Sequence, residues 1–256
     1  MNMMERHFCL DDSPMFKMLE LDSVDSTNNF LRHYRASDGQ RMVLVTAEYQ
    51  TSGRGSGSNV WESQRGKNLL FSFLLHPKWV DAEEMFGLSE VAALAVKEAL
   101  EEYAEGFSVK WPNDIYFGNK KIAGLLIENV LEGHCVGQSV IGVGLNVNQL
   151  DFVSDAPNPV SLARVLGHEV ERRFVLEKVV EHFSHRYDQL EHEGRAQIHA
   201  DYLSCLFRKG EEHLYVDSQG LFQAVLQDVE LSGHLILRDS EGRERRYAFK
   251  EVQYII

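Results

Sequence analysis

The sequence predicts an α+β fold that ends in a small β-barrel, and three observations carry that reading. Residues 42–48 (MVLVTAE) and 69–75 (LLFSFLL) are β-rich runs of strand length, too short for helices. Residues 83–104 (EEMFGLSEVAALAVKEALEEYA) place Leu88, Val91, Ala95, Ala99 and Tyr103 at helical spacing with acids between, the pattern of an amphipathic helix. From about residue 210 the pattern changes to short alternating runs (HLYVD, LFQAVLQDVE, HLILRD, RRYAFK) broken by DSQG, LSG and DSEG, five or so strands in under fifty residues.

The bulk properties narrow the class. The 256 residues are 44% apolar, enough for a sizeable core and too many for a disordered chain. Lysines and arginines number 26 against 39 acids, so the net charge is −13, which opposes a chain built to grip nucleic-acid phosphates. No apolar run approaches the ~20 residues of a membrane span, and the first residues show no signal-peptide pattern. Cys9, Cys135 and Cys205 are far apart with no CxxC pair, which argues against a zinc site or a disulfide framework. A cytoplasmic globular protein is expected.

In chain order, VDSTNNFL at 24–31 sets Ser26 before an apolar-periodic run, where it caps a helix or helps a helix start hold a polar ligand. TSGRGSGSN at 51–59 must be loop; Gly53, Gly55 and Gly57 allow close backbone approach to an anion, and Arg54 adds a planar cation. Trp61 is core or a stacking face. KWPND at 110–114 and KKIAG at 120–124 flank two short strands joined at Gly118 and Asn119, and simple alternation puts Ile122 and Gly124 on one face with Lys121 and Ala123 on the other. Residues 122–129 and 135–143 predict an antiparallel hairpin turning at Glu132 and Gly133. VIGVGLNVNQ at 140–149 reads as a buried strand whose exit presents Asn146 and Asn148, as ligand groups or as turn satisfiers. A proline and aspartate loop at 150–162 precedes two helical stripes, Leu176–Val179–Val180–Phe183–Tyr187–Leu190 and Ile198–Tyr202–Leu206. The strand-rich end has seven basic and nine acidic residues, so a nucleic-acid role for it has no electrostatic support.

Against the acidic background, residues 50–68 (Arg54, Arg65 and Lys67 against Glu62) and 110–121 (three lysines against Asp114) each carry about +2. If the two segments converge they make an anion site of the kind a triphosphate needs.

Taken in order, GRGSGSNVWES, KWPND followed by KKIAG, STN and GVGLNVN resemble biotin–protein ligases, from about residue 20 to 150, and the strand-rich end resembles that family's small SH3-like domain. KWPND…K-[IL]-AG is the specific part. The resemblance implies a catalytic core like that of class II aminoacyl-tRNA synthetases over 1–207 and an SH3-like β domain over 208–256. It implies formation of biotinyl-5′-AMP from biotin and Mg-ATP, then transfer of biotin to a lysine of a biotin carboxyl carrier protein, acetyl-CoA carboxylase's carrier being the default. Lipoate or octanoate ligases and transferases share the core fold and are the enzyme alternative.

Carried over residue by residue, the resemblance makes Lys121, Arg54 and Asp114 catalytic: the first two on biotin's carboxylate and the α-phosphate, the third orienting or deprotonating the incoming lysine. It gives biotin Ser26, Thr27, Asn28, Gln50, Gly53, Arg54, Gly55, Trp61, Lys121 and Gly124, and gives ATP Arg54, Ser56, Trp61, Lys110, Asn113, Lys121 and Asn146, the last beside Mg2+. Lys110 either serves ATP or only braces its strand. Where the family has arginine or glutamine, arginine and glycine after GRG, this chain has Ser56, Gly57 and Ser58, which leads to the expectation of a looser loop that leaks adenylate. The stretch APNPVSL holds no tryptophan for the adenine. STN begins at residue 26, so no N-terminal DNA-binding domain, no DNA and no membrane are expected, in a monomer or homodimer.

Overall fold

The computed structural model describes residues 3–6, 16–36, 40–57, 59–153 and 158–256. An eight-stranded mixed sheet forms the body, from β1 (Met3–Arg6), β2 (Phe16–Leu21), β3 (Met42–Ala47), β4 (Leu69–Leu75), β5 (Phe107–Lys110), β6 (Asp114–Phe117), β7 (Lys120–Glu132) and β8 (Cys135–Leu145). Its strand order is β1-β2-β3-β4-β8-β7-β6-β5, parallel only between β2 and β3. The strand β4 is buried along its whole length because both faces are covered. Phe71 and Phe73 face a large helical core, where Phe73 stacks on Phe183 at 4.1 Å. Leu74 joins a smaller cluster with Leu31, Val43 and Val45 on the opposite face.

The large core is capped by α2 (Phe86–Glu101), the short α3 (Leu162–Leu166), α4 (Arg172–His192) and α5 (Ala196–Ser204). The α4 stripe is buried as its spacing predicts, from Leu176 to Leu190. The expected helix at 83–104 is shorter, and it is buried on nearly every side rather than amphipathic: even Glu90 is fully enclosed, held by Arg195 and His199 at 2.6 Å each. Leu206 is buried but lies beyond α5. The opposite face carries α1 (Thr27–Arg32), which packs on β3, β4 and β8.

The hairpin β7–β8 forms as predicted, with Gly133 in the left-handed region (φ 64°). The simple alternation along its first residues is overturned. Tyr116 pairs with Lys121 and Ile115 with Ala123, so β7 spends one extra residue against β6, a β-bulge. Ile122 and Ala123 both turn into the core, and the Lys121 side chain lies against Gly124 on the other face.

Five antiparallel strands follow: β9 (Glu212–Asp217), β10 (Gly220–Val229), β11 (Leu235–Asp239), β12 (Glu244–Tyr247) and β13 (Val252–Tyr254), ordered β12-β11-β10-β9-β13. Their apolar side chains, among them Tyr215, Leu226 and Leu237, join the core of the larger sheet. The β10–β11 turn docks on the body, where Trp111 Nε1 donates to Gly233 O at 2.9 Å and Arg195 Nη1 donates to Leu231 O.

Candidate active site

The site face of the sheet has a floor of glycines. In adjacent strands Gly124 pairs with Gly144 and Leu126 with Gly142, while Ser72 of β4 lies on the other side of Gly142. Side chains here would stand in the way of two residues that lie flat on the sheet. A Cβ on Gly142 would meet the Asn28 amide. One on Gly124 would come to 2.9 Å from Trp61 Cζ3, and one on Gly144 to 2.6 Å from Trp61 Nε1. The half-buried Trp61 thus lies on the sheet as a slab, with its indole N–H buried and without a partner among the described residues.

A short polar relay organises the α1 end. Gln50 Oε1 accepts from Thr27 N at 2.7 Å and from Thr27 Oγ1 at 3.1 Å. The Ser72 hydroxyl lies 2.7 Å from Thr27 Oγ1 and 2.6 Å from Asn28 Oδ1. Asn28 Nδ2 then donates to Leu126 O at 3.2 Å and to Glu128 at 2.9 Å. Leu126 O and the Glu128 carboxylate can only accept, so the Asn28 amide has one orientation. Ser26 occupies the helix N-cap position, as its place in the sequence predicts, but its side chain makes no cap bond.

The glycine–arginine loop folds back on itself, with Gly55 N donating to Asn59 O (2.8 Å) and Trp61 N to Gly53 O (3.0 Å). Gly53 has no room for a side chain, since a Cβ would sit 2.6 Å from Trp61 O. Arg54 is half-buried, held by Asn29 (2.8 Å) and by both Glu128 oxygens (3.0 and 3.3 Å). Ser58 lies outside the described residues, as do 156 and 157 of the adenine stretch.

The KWPND segment connects β5 to β6 through a cis Trp111–Pro112 bond, and Tyr202 Oη donates to Pro112 O at 2.7 Å. Asp114 opens β6 and accepts from Lys121 Nζ at 2.6 Å, with that ammonium 5.8 Å from the Trp61 ring. Lys110 stands apart from this pair: its ammonium lies over the Tyr254 and Tyr116 rings at 4.7 and 5.6 Å. Burial pushes it below the usual lysine value, against the pull of Asp114 and helped by repulsion from Lys121 and Arg208. Asn113 is half-buried in the turn.

At the β8 exit the two asparagines part company. Asn148 is satisfied at both ends by Val170, its Nδ2 donating at 2.8 Å and its Oδ1 accepting at 3.0 Å, so it is a structural clamp. Asn146 donates to Val160 O at 3.2 Å but keeps a buried Oδ1 with no partner among the described residues. An enclosed amide oxygen of this kind suits a donor or a hard cation from a ligand. Among the described residues no cluster of three His, Cys, Asp or Glu side chains could hold a metal.

The motif cations do not lie open as a shared positive patch. Arg54 meets Glu128, Lys121 meets Asp114, Arg65 meets Asp22 (2.8 Å) and Lys67 meets Glu169 (2.7 Å). Sequence reading missed Ser72 and Glu128, which orient Asn28 and Arg54, and the floor glycines Gly142 and Gly144. A glycine at every second position of a buried strand is the signal that could have found the floor.

An indole lying on a side-chain-free floor beside a lysine–aspartate pair is a surface for a flat ligand with an anionic end. Residues 20–146 match the biotin/lipoate A/B protein ligase family. The chain is 32% identical over 233 residues to the bifunctional ligase/repressor BirA of Bacillus subtilis, covering 89% of this chain and 70% of that protein. It is 31% identical to the biotin–[acetyl-CoA-carboxylase] ligase of Paracoccus denitrificans, over 88% of this chain and 95% of the relative. A solved biotin protein ligase from Aquifex aeolicus, in complex with biotin and ATP, superposes with a TM-score of 0.78 at 30% identity, over 93% of this chain and 99% of that one. The chain belongs to the biotin protein ligase family. No helix among its described residues is long and apolar enough to cross a membrane.

Proposed function

We propose that this chain activates biotin with ATP and transfers it to a lysine of a biotin carboxyl carrier protein. The observation that carries this is the slot floored by Gly124, Gly142 and Gly144, with Asn28 and Trp61 flat upon it and Lys121 at its end. A flat, bicyclic substrate with a polar ureido edge stacks on the face of the indole turned away from the sheet, since the glycine floor lets that ring lie low. Thr27, Asn28 and Gln50 supply the polar edge, with Ser26 alongside, and the carboxylate tail runs toward Lys121.

In the first half-reaction a biotin carboxylate oxygen attacks the α-phosphorus, the bond to the β-phosphate oxygen breaks, and pyrophosphate leaves. Two anions are brought together, so the cations at Lys121 and Arg54 supply most of the help. Lys121 leaves its bond to Asp114 to meet them. Mg2+ enters with ATP as part of the substrate, and the unpaired Asn146 oxygen suits its hydrated complex. In the second half-reaction the carrier's amine attacks the acyl carbon, an amide forms, and AMP departs. Asp114, released by Lys121, then orients the amine and accepts its proton. The acetyl-CoA carboxylase carrier is the default acceptor and the cytoplasm, where ATP is plentiful, the expected setting. Residues 1–207 do the chemistry and 208–256 brace it.

Biotin-dependent exchange of labelled pyrophosphate into ATP tests the reading, followed by the mass of a biotin carrier domain and of a lipoyl domain. Exchange and a biotinylated carrier are expected; modification of the lipoyl domain alone, with lipoate or octanoate, would install the alternative.

A further inference from the structure

The turn between β12 and β13 carries Lys250, and three features of it are unaccounted for by folding alone. First, its backbone is left-handed (φ 73°), a conformation that costs a lysine energy and a glycine nothing. Second, its side chain reaches back over the glycine–arginine loop: a Cβ built on Gly57 would collide with Lys250 Nζ and lie 3.6 Å from Cε. Third, its ammonium has no carboxylate partner among the described residues, whereas Arg54, Lys121, Arg65 and Lys67 each have one.

The turn is held in place independently of that side chain. Ala248 N donates to the Glu251 carboxylate at 2.7 Å, Glu251 N donates to Ala248 O at 3.2 Å, and the Phe249 ring meets Trp111 edge-on at 6.1 Å. Trp111 belongs to the segment that positions Asp114, so the turn is tied to the site. The loop itself offers little positive charge, since after Arg54 the next cation in sequence is Arg65.

We propose that Lys250 is a phosphate-binding residue, supplied by the strand-rich C-terminal region, that closes over the glycine loop and retains the acyl adenylate. This rests on the adenylation reading above and adds a residue to it. An ammonium with no carboxylate partner among the described residues, set against the loop that carries Arg54, is a site for one phosphate. The looseness expected of Ser56 and Gly57 is offset from outside the loop.

The test compares wild type with Lys250→Gly and Lys250→Arg. Each protein is loaded with biotin and ATP, and release of biotinyl-5′-AMP is timed, together with biotinylation of bystander lysines on an unrelated protein. Lys250→Gly relieves the left-handed strain, so its melting temperature should equal or exceed that of wild type. Adenylate release should nonetheless quicken about ten-fold, the factor one charge-assisted hydrogen bond to an exposed phosphate is worth, and bystander labelling should rise with it. Lys250→Arg should stay near wild type. Release by Lys250→Gly at the wild-type rate overturns the proposal while leaving the ligase reading intact. A folded wild type with no biotin-dependent pyrophosphate exchange would remove the reading on which the proposal rests, and the proposal with it.

Discussion

Replacing Gly144 by alanine puts one methyl group under the Trp61 indole. The added carbon would collide with Cε2 and lie 2.6 Å from Nε1 and 2.7 Å from Cδ2, and ordinary contact begins near 3.4 Å, so the ring must rise by about 1 Å. It cannot be met halfway, because Gly144 sits inside a strand paired on both sides, with Leu70 and with Gly124. Overpacking of this kind costs about 1–3 kcal/mol of stability. The functional cost is larger, since a ~1 Å displacement of a positioning group is worth up to ~10²-fold. The KM for biotin, measured by pyrophosphate exchange, should rise about ten- to a hundred-fold, and the change of Trp61 fluorescence on biotin binding should shrink. Gly137→Ala on the same strand is the control: its methyl group meets only the exposed, flexible Glu132 side chain, which can swing away. An unchanged biotin KM in folded Gly144→Ala protein would refute the slot.

Lys121→Ala should lower exchange by at least ~10²–10³-fold with little change in melting temperature, because its side chain is partly exposed and its loss opens no cavity; activity near wild type would remove its assigned role. Glu128→Ala frees both Arg54 and the Asn28 amide, so the biotin KM should rise about ten-fold, read from the same exchange assay. Glu90→Gln leaves the buried Arg195 without its charge partner and should cost about 3–5 kcal/mol in urea unfolding, a loss under 1 kcal/mol counting against the pairing. Burial alone would push the Asp239 carboxyl up, but the Arg243 N–H and the Arg245 and Arg243 guanidiniums outweigh it and hold it at about 2, below the ordinary 3.8. With the folded value depressed, its stabilisation is present above pH 3.8 and is lost as pH falls toward 2. Acid unfolding followed by tyrosine fluorescence should show that loss, and Asp239→Asn should flatten the profile across this window.

Much of the site was legible because its chemistry is written in contiguous runs. The turn at Gly118 and Asn119, the loop at Gly53–Gly57 and the hairpin at Gly133 are local: each needs only its own backbone. The specific residues Lys121 and Asp114 are seven apart, and their pairing across β6 and β7 follows from a short turn. The failures are equally particular. Alternation along Lys121–Gly124 breaks because β7 spends one extra residue against β6, which no single strand reveals about itself. The α2 helix was misjudged as amphipathic because Glu90 looks solvent-facing until Arg195, 105 positions later, is found beside it.

By itself the sequence supplied, through its resemblance to a family, the candidate residues for acyl-adenylate chemistry, and it marked where chain direction must reverse. These depend on side-chain type and on φ restrictions within a few residues. Only the tertiary structure decided what those residues face. Glu128 comes from 100 positions away to orient Asn28, and Ser72 comes from 44 away. Lys250 returns from the last turn of the chain to the loop at Gly57. Such contacts are set by strand register and by the docking of one sheet on another, and register is a property of pairs of strands.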